Sequence, residues 1–174
     1  TAGSRQIGLA IARGDVVAFV DDTVSVDPNW LNELVKPYTD PRVAAVGGRT
    51  LDGIDGEEGA GIGDIGRLLP YGGLSYNFAA DSGRPIEVDH LLGANMSFQR
   101  RAIEAVGGIR HDYVGTQPLR EEVGISLRLA RRGGVLMFAP KALVHRIAPP
   151  NGTGSEKVDH HSLYSARRNH VMML

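Results

Sequence analysis

Cysteine is absent from this 174-residue chain, which excludes disulfides and thiolate metal sites. That absence fits a reducing compartment. Long apolar runs are missing too: none approaches the ~18 residues that a membrane-spanning helix needs. No charged-then-apolar signal segment opens the chain. Nor is there a basic excess. Lys and Arg number 19 against 20 Asp and Glu, a formal net charge of −1 that gives no support to a nucleic-acid-binding surface. What is present is an ordinary globular composition, 42% hydrophobic and 22% charged, long enough for one domain with a real core.

The pattern is organised around Val16-Val17-Ala18-Phe19-Val20-Asp21-Asp22. Five apolar residues read as a strand buried on both faces. Two carboxylates stand where that strand ends, and ligands of open α/β sheets sit outside the carboxyl ends of strands. Adjacent carboxylates repel, a cost that a divalent cation relieves, although an acidic pair in a turn is also common without any ligand.

Residues 1–14 read as a helix with Ile7, Ala10 and Ile11 on its apolar face and Gly14 as its end. A helix feeding a buried strand that nothing precedes implies residues upstream of Thr1. After Asp22, Asp27 and Pro28 open a helix over 28–38, with Trp30, Leu31, Leu34 and Val35 apolar. A strand over 43–46 follows, and the strand–helix–strand order predicts a parallel crossover. Residues 51–85 repeat glycine among acidic residues and read as a mobile surface loop rather than a phosphate cradle. Tyr71, Tyr76 and Phe78 in this stretch supply aromatics for stacking on a ligand or for anchoring the loop.

Beyond it, 86–89 is a candidate strand, and Gly93-Ala94-Asn95-Met96-Ser97-Phe98 leads into an alternating apolar run. A short helix over 100–106 ends at Gly107-Gly108. Glu121-Glu122 begin a helix through Arg132, acidic at its start and basic at its end, as the helix dipole favours. Residues 135–138 form a strand, Pro140 a break, 142–144 an extended piece ending at His145, and 159–174 a final helix. Neither a repeat nor a linker divides 1–174, which reads as a single domain.

Four spots therefore stand at strand ends or helix starts: Asp21-Asp22, Gly93–Phe98, Glu121-Glu122 and His145. Each has a bland account as a turn, a helix-dipole partner or a satisfied histidine. Their order resembles the family 2 glycosyltransferases. Arg5-Gln6-Ile7-Gly8 and Ala12-Arg13-Gly14-Asp15 look like the helix before that family's metal strand. The stretch Val17 to Thr23 resembles its Asp-Asp-Asp or Asp-x-Asp strand end. Gly93 through Arg101 is similar to its acceptor-side segment. Glu121-Glu122 through Gly133 resembles its Glu-Asp or Glu-Glu helix, and Pro140 through His145 its closing Pro…Val-x-His. Tyr164, Arg167, Arg168 and Asn169 look like the amphipathic helix that follows.

The resemblance implies a GT-A, Rossmann-like α/β fold, with a mixed but mainly parallel sheet flanked by helices and truncated at its N-terminus. It implies inverting transfer of a sugar from a nucleotide-diphosphate sugar to a saccharide or lipid-linked acceptor. It further implies a place in cell-surface polysaccharide or glycolipid synthesis, in the cytoplasm at the inner face of the membrane. Glu122, or else Glu121, becomes the base that takes the acceptor proton. Arg5, Asp21 and Asp22 become the nucleotide side. Gly93, Ala94, Asn95 and Arg128 become substrate contacts. Asp22 and His145 become ligands of Mn²⁺ or Mg²⁺. Thr23 departs from the pattern, since a neutral hydroxyl stands where the last carboxylate of the triplet is usual. That departure supports the alternative of a non-catalytic domain that keeps the fold and binds a sugar or protein. A nucleotidyltransferase would also put carboxylates at a strand end, but it leaves the Glu121–Gly133 segment unexplained.

Overall fold

The computed structural model describes residues 2–109 and 121–147. The helices are α1 (Ala2–Ile11), α2 (Trp30–Val35), α3 (Arg100–Ala105) and α4 (Glu121–Arg131). The strands are β1 (Val16–Val20), β2 (Val24–Val26), β3 (Val43–Leu51), β4 (Ile86–Glu87), β5 (Asn95–Gln99) and β6 (Val135–Arg146). The helix expected over 159–174 lies outside the described residues.

All six strands join one sheet in the order β1–β5–β3–β6–β2, with β4 also on β6. The sheet is mixed, as expected, but not mainly parallel. Only β3 and β6 pair in parallel among the described residues. The β1–β5, β3–β5, β2–β6 and β4–β6 pairs are antiparallel. β1 and β3 do run the same way, as their helical connection implied. The late strand β5 lies between them in the opposite sense, which no local pattern near β1 could reveal.

Two cores flank the sheet. The larger gathers Leu9, Phe19, Met96, Phe98, Ile103, Ile125, Leu129 and Phe138, so that α1, α3 and α4 share one face. The smaller packs Leu34 of α2 against Val43, Val46, Ala139 and Ala142. β5 is buried on both sides, with Met96 and Phe98 in the larger core. β1 is not. It buries Val17 and Phe19 but leaves Ala18 and Val20 exposed, because side chains alternate and only the Val17–Phe19 face packs into a core.

The helices differ from expectation in instructive ways. α1 ends at Ile11, and its inner face is Arg5, Leu9 and Ala12, at spacings of four and three. Ile7 is 67% and Ile11 74% exposed, on the opposite side. An arginine in the inner row hid that face from a purely apolar count. Asp27 takes the Asn29 N–H on its carboxylate (2.9 Å) and the Trp30 N–H on its carbonyl (2.9 Å), which starts α2. α2 passes into a 3₁₀ turn at Lys36, because Pro37 has no N–H to continue the ladder. Pro140 does not break β6. The β3–β6 register jumps from Gly48↔Ala139 to Arg49↔Leu143, so Pro140 falls in a bulge, where a missing N–H costs no ladder bond.

The glycine-rich segment is fastened rather than free. Arg49 pairs with Asp81 (2.8 Å), Thr50 N–H donates to the Phe78 carbonyl (3.0 Å), and the Glu57 carboxylate accepts the N–H groups of Asp52, Gly53 and Ile54. Ile65, Phe78 and Ala80 are buried beneath it. Glycine spacing reported the turns and missed these anchors.

Candidate functional site

Arg5 is the hub. From the inner face of α1 its Nη2 donates to Asp21 Oδ1 (3.2 Å) and to the Gly93 carbonyl (3.0 Å). Its Nη1 donates to Glu121 Oε1 (3.5 Å). One guanidinium therefore joins the end of β1, the turn before β5 and the first turn of α4. Glu121 is fully buried, and a buried carboxylate needs such a countercharge. Beyond the ends of β1 and β5, Asp21 N–H still reaches the Ala94 carbonyl (3.3 Å), which continues the ladder and fixes the position of Asp21.

Gly93 is small for a reason. A Cβ there would lie 3.3 Å from both terminal nitrogens of Arg5 and 3.6 Å from Glu122 Oε2. Glu122 is thus brought to the same spot as Arg5 but stays half-buried, whereas its neighbour Glu121 is sealed. The two carboxylates differ as a helical step of ~100° demands. Of the two, only Glu122 has part of its surface open to solvent. A cleft lined by Arg5, Gly8, Ala12, Val20, Asp21 and Asp22 runs beside this cluster, between α1 and β1.

Asp22 and His145 lie on neighbouring segments. β2 pairs with the end of β6, setting Ser25 opposite His145, and Ile147 N–H donates to the Thr23 carbonyl (2.8 Å). The end of β6 therefore borders the turn that carries Asp22, and both side chains are exposed. Among the described residues no three His, Asp or Glu side chains gather as a metal site. Two protein donors fall short of a preformed cage. They do suit Mg²⁺ or Mn²⁺ held through one or two protein ligands together with substrate phosphates and water.

Of the expected substrate residues, Asn95 and Arg128 stand elsewhere, and Ala94 reaches the site only through its backbone. Asn95 is fully buried. Its Oδ1 accepts the Trp30 indole N–H (2.9 Å), and its Nδ2 donates to the carbonyls of Arg49 (3.0 Å) and Ala142 (2.8 Å). Those carbonyls lie where the β3–β6 register jumps, so Asn95 satisfies the groups that the bulge leaves unpaired. It leaves the substrate set. Ala94 is also buried and meets the site through its backbone. Arg128 lies six residues along α4 from Glu122, roughly 9 Å along the axis, and its Nη2 donates to the Gly108 carbonyl (2.7 Å). It ties α4 to the end of α3. Sequence reasoning missed Ser97, which is fully buried on the same face of β5 as Asn95 and pairs with Tyr38. The two-residue spacing of Asn95 and Ser97 was the available signal.

The family described as glycosyl transferase family 2 matches residues 1–107. The "Pre-mycofactocin glycosyltransferase" of Mycobacterium tuberculosis is 29% identical over 154 residues, which cover 82% of this chain and 29% of that protein. The chain therefore spans under a third of that curated relative. A structure of GalNAc-T7 with UDP, GalNAc and Mn²⁺ superposes with a TM-score of 0.63 at 18% identity, over 97% of this chain and 34% of the other. The mannosyltransferase PcManGT from Pyrobaculum calidifontis, in complex with GDP-Man and Mn²⁺, gives 0.57 at 19% identity, over 87% and 37%. At these identities the structural likeness establishes the fold, which is GT-A.

Proposed function

The chain belongs to glycosyl transferase family 2, and from that premise we propose that it carries the catalytic centre of an inverting transferase acting on a nucleotide-diphosphate sugar. The observation that carries the reading is the sorting of four charged groups around Gly93. Arg5 bridges Asp21 and the sealed Glu121, while the half-buried Glu122 stands beside Gly93.

In a single displacement the acceptor oxygen attacks the anomeric carbon, the bond to the nucleoside diphosphate breaks, and the acceptor loses its proton. Glu122 takes that proton. Gly93 lets the donor and acceptor sides approach without a side chain between them. Asp21, held by Arg5 and by the Ala94 carbonyl, fixes the wall of the nucleotide cleft. Asp22 and His145 would hold the Mn²⁺ or Mg²⁺ ion, which offsets the charge growing on the leaving diphosphate when bound. Among the described residues no helix is long and apolar enough to cross a membrane. The acceptor is a saccharide or a lipid-linked sugar.

The test uses the full-length protein with labelled UDP- and GDP-sugars, with and without EDTA. Proton NMR of the first product should show the anomeric configuration inverted. Metal removal should weaken donor binding measured by calorimetry. Retained configuration would sink the single-displacement reading. Equal donor affinity in EDTA would take the metal out of it. No turnover of any donor would favour a binding domain that keeps the fold.

A further inference from the structure

Ser126 is an odd residue for its place. It lies in the middle of α4 and is fully buried, as are Val123, Ile125 and Leu129 around it. Alanine there would favour the helix more and would bring no polar group to satisfy. Both functions of the hydroxyl are nevertheless used. Its Oγ donates to the Glu122 carbonyl one turn earlier (2.7 Å) and accepts the Leu91 N–H (3.3 Å). One oxygen therefore joins the turn of α4 that carries Glu122 to a stretch 35 positions away in the chain.

Leu91 is a fixed point. It is fully buried, and its side chain covers bare backbone of β3: a Cβ at Gly47 would lie 2.9 Å from Leu91 Cδ2. The residues before it are tied down. Asp89 Oδ2 accepts the Leu68 N–H (2.8 Å), and His90 Nε2 meets the Ser75 carbonyl (2.8 Å). The chain after it turns at once. Asn95 N–H donates to the Leu92 carbonyl (3.2 Å), which makes Gly93 and Ala94 the central residues of a tight turn, and the Gly93 carbonyl accepts from Arg5 (3.0 Å).

Glu122 and Ser126 are four residues apart and share one face of α4, with Glu122 Oε2 3.6 Å from where a Gly93 Cβ would stand. Arg5 and Arg128 tie α4 near its two ends, through Glu121 (3.5 Å) and the Gly108 carbonyl (2.7 Å). Both reach through long side chains, which yield. A serine Oγ stands one bond from Cβ and does not. A side-chain end lies ~5–6 Å from a helix axis, so a roll of about 10° would move the Glu122 carboxylate by about 1 Å. A misplacement of about 1 Å can cost ~10²-fold in rate. We propose that Ser126 is a positioning residue for the transfer, setting Glu122 against Gly93 by joining the Glu122 carbonyl to the Leu91 amide. The proposal rests on the reading of Glu122 as the base.

The experiment is a double-mutant cycle in the full-length protein, following transfer from a labelled UDP- or GDP-sugar. Ser126→Ala removes the bridge. Ser126→Cys keeps a similar volume but bonds weakly, so it decides the matter if the alanine variant fails to fold. With Glu122 intact, both changes should lower kcat about tenfold and leave the donor Kd from calorimetry within about twofold. In the Glu122→Gln background the same changes should cost less than about twofold, because no base is left to misplace. Hydrogen exchange at the Leu91 amide should quicken about tenfold or more in Ser126→Ala. Equal losses in the two backgrounds, a donor Kd that weakens in step with kcat, a kcat within about twofold of the parent, or Leu91 exchange at the parent level would each overturn the proposal. No turnover by the parent, or no loss in Glu122→Gln, would instead sink the base itself and the positioning role with it. That outcome is distinct from a Ser126 effect that ignores Glu122.

Discussion

Gly93 and Asn95 are two residues apart, yet they belong to two regions built on opposite principles. Around Gly93 the polar groups are charged, with Arg5, Asp21 and Glu122 half-open and Glu121 sealed. Around Asn95 they are neutral and sealed: Trp30, Ser97, Tyr38 and the carbonyls of Arg49 and Ala142. The first region leaves two carboxylates, Asp21 and Glu122, partly open to solvent. In the second the buried Asn95 amide meets partners on both its oxygen and its nitrogen, which holds the bulged β3–β6 seam closed. The first is open on one side, whereas Asn95 and Ser97 at the centre of the second are fully buried. The comparison separates residues that act from residues that hold the wall against which they act.

The largest effect expected from breaking this contrast is on rate. Glu122→Gln keeps size and shape but cannot take a proton. General-base catalysis contributes ~10²–10⁴-fold, so turnover by the full-length enzyme should fall by about that factor while donor affinity and melting temperature hold. Glu121→Gln should do the reverse. It removes the countercharge of Arg5 from a buried position, lowering stability by roughly 1–3 kcal/mol, with rate following only as far as Arg5 shifts. Steady-state rates and thermal melts on both variants separate the two roles. A Glu122→Gln enzyme within about threefold of the parent would remove the assignment.

Much of the charged region was legible in the residue order. The β1 strand end with its aspartates, the α4 start with its glutamates, and His145 near the end of β6 could all be placed from the residue order. What stayed hidden was set by long-range pairing. Val20 looked buried because a run of valines does not say whether both faces of its strand are covered. Arg5 looked like a ligand contact, since nothing local shows that its charge meets Glu121 across 116 positions. Asn95 was misplaced because its family segment borders the site. The β3–β6 register jump that fixes its real partners is a property of two distant strands.

The next effect in size tests the sealed region. Asn95→Ala strands the Trp30 indole N–H and the carbonyls of Arg49 and Ala142, each buried group costing about 1–3 kcal/mol. A loss of roughly 3–5 kcal/mol is expected from urea unfolding at neutral pH. Donor affinity in the surviving folded fraction should match the parent. A variant of parental stability with weakened donor or acceptor binding would return Asn95 to the substrate set and erase the contrast.

The smallest effect sharpens the comparison through pH. Tyr38 sends its hydroxyl into the sealed region, 2.9 Å from Ser97 Oγ, and Ser97 Oγ donates on to the Val46 carbonyl (3.0 Å). Burial pushes the phenol well above its ordinary value of 10.0, while the hydrogen bonds to Ser97 and to the Val46 backbone pull less strongly the other way. A raised value in the fold means that the folded chain keeps a proton which the unfolded chain releases above about pH 10. The stability tied to that proton is complete below pH ~10 and drains away as pH rises toward the folded value, by at most about 1.4 kcal/mol per pH unit. Tyr38→Phe has no such proton. At pH 8 it should be less stable than the parent by about 1 kcal/mol, the worth of the lost hydrogen bond. Between pH 10 and 11 that gap should narrow, because only the parent pays the alkaline cost at this position. The remaining tyrosines and lysines titrate in both proteins and cancel in the difference. Urea melts of the two proteins at half-unit steps from pH 8 to 11 make the measurement. A gap that stays constant across that range would mean that the Tyr38 hydroxyl is open to water, and that the neutral region is less sealed than the charged one beside it.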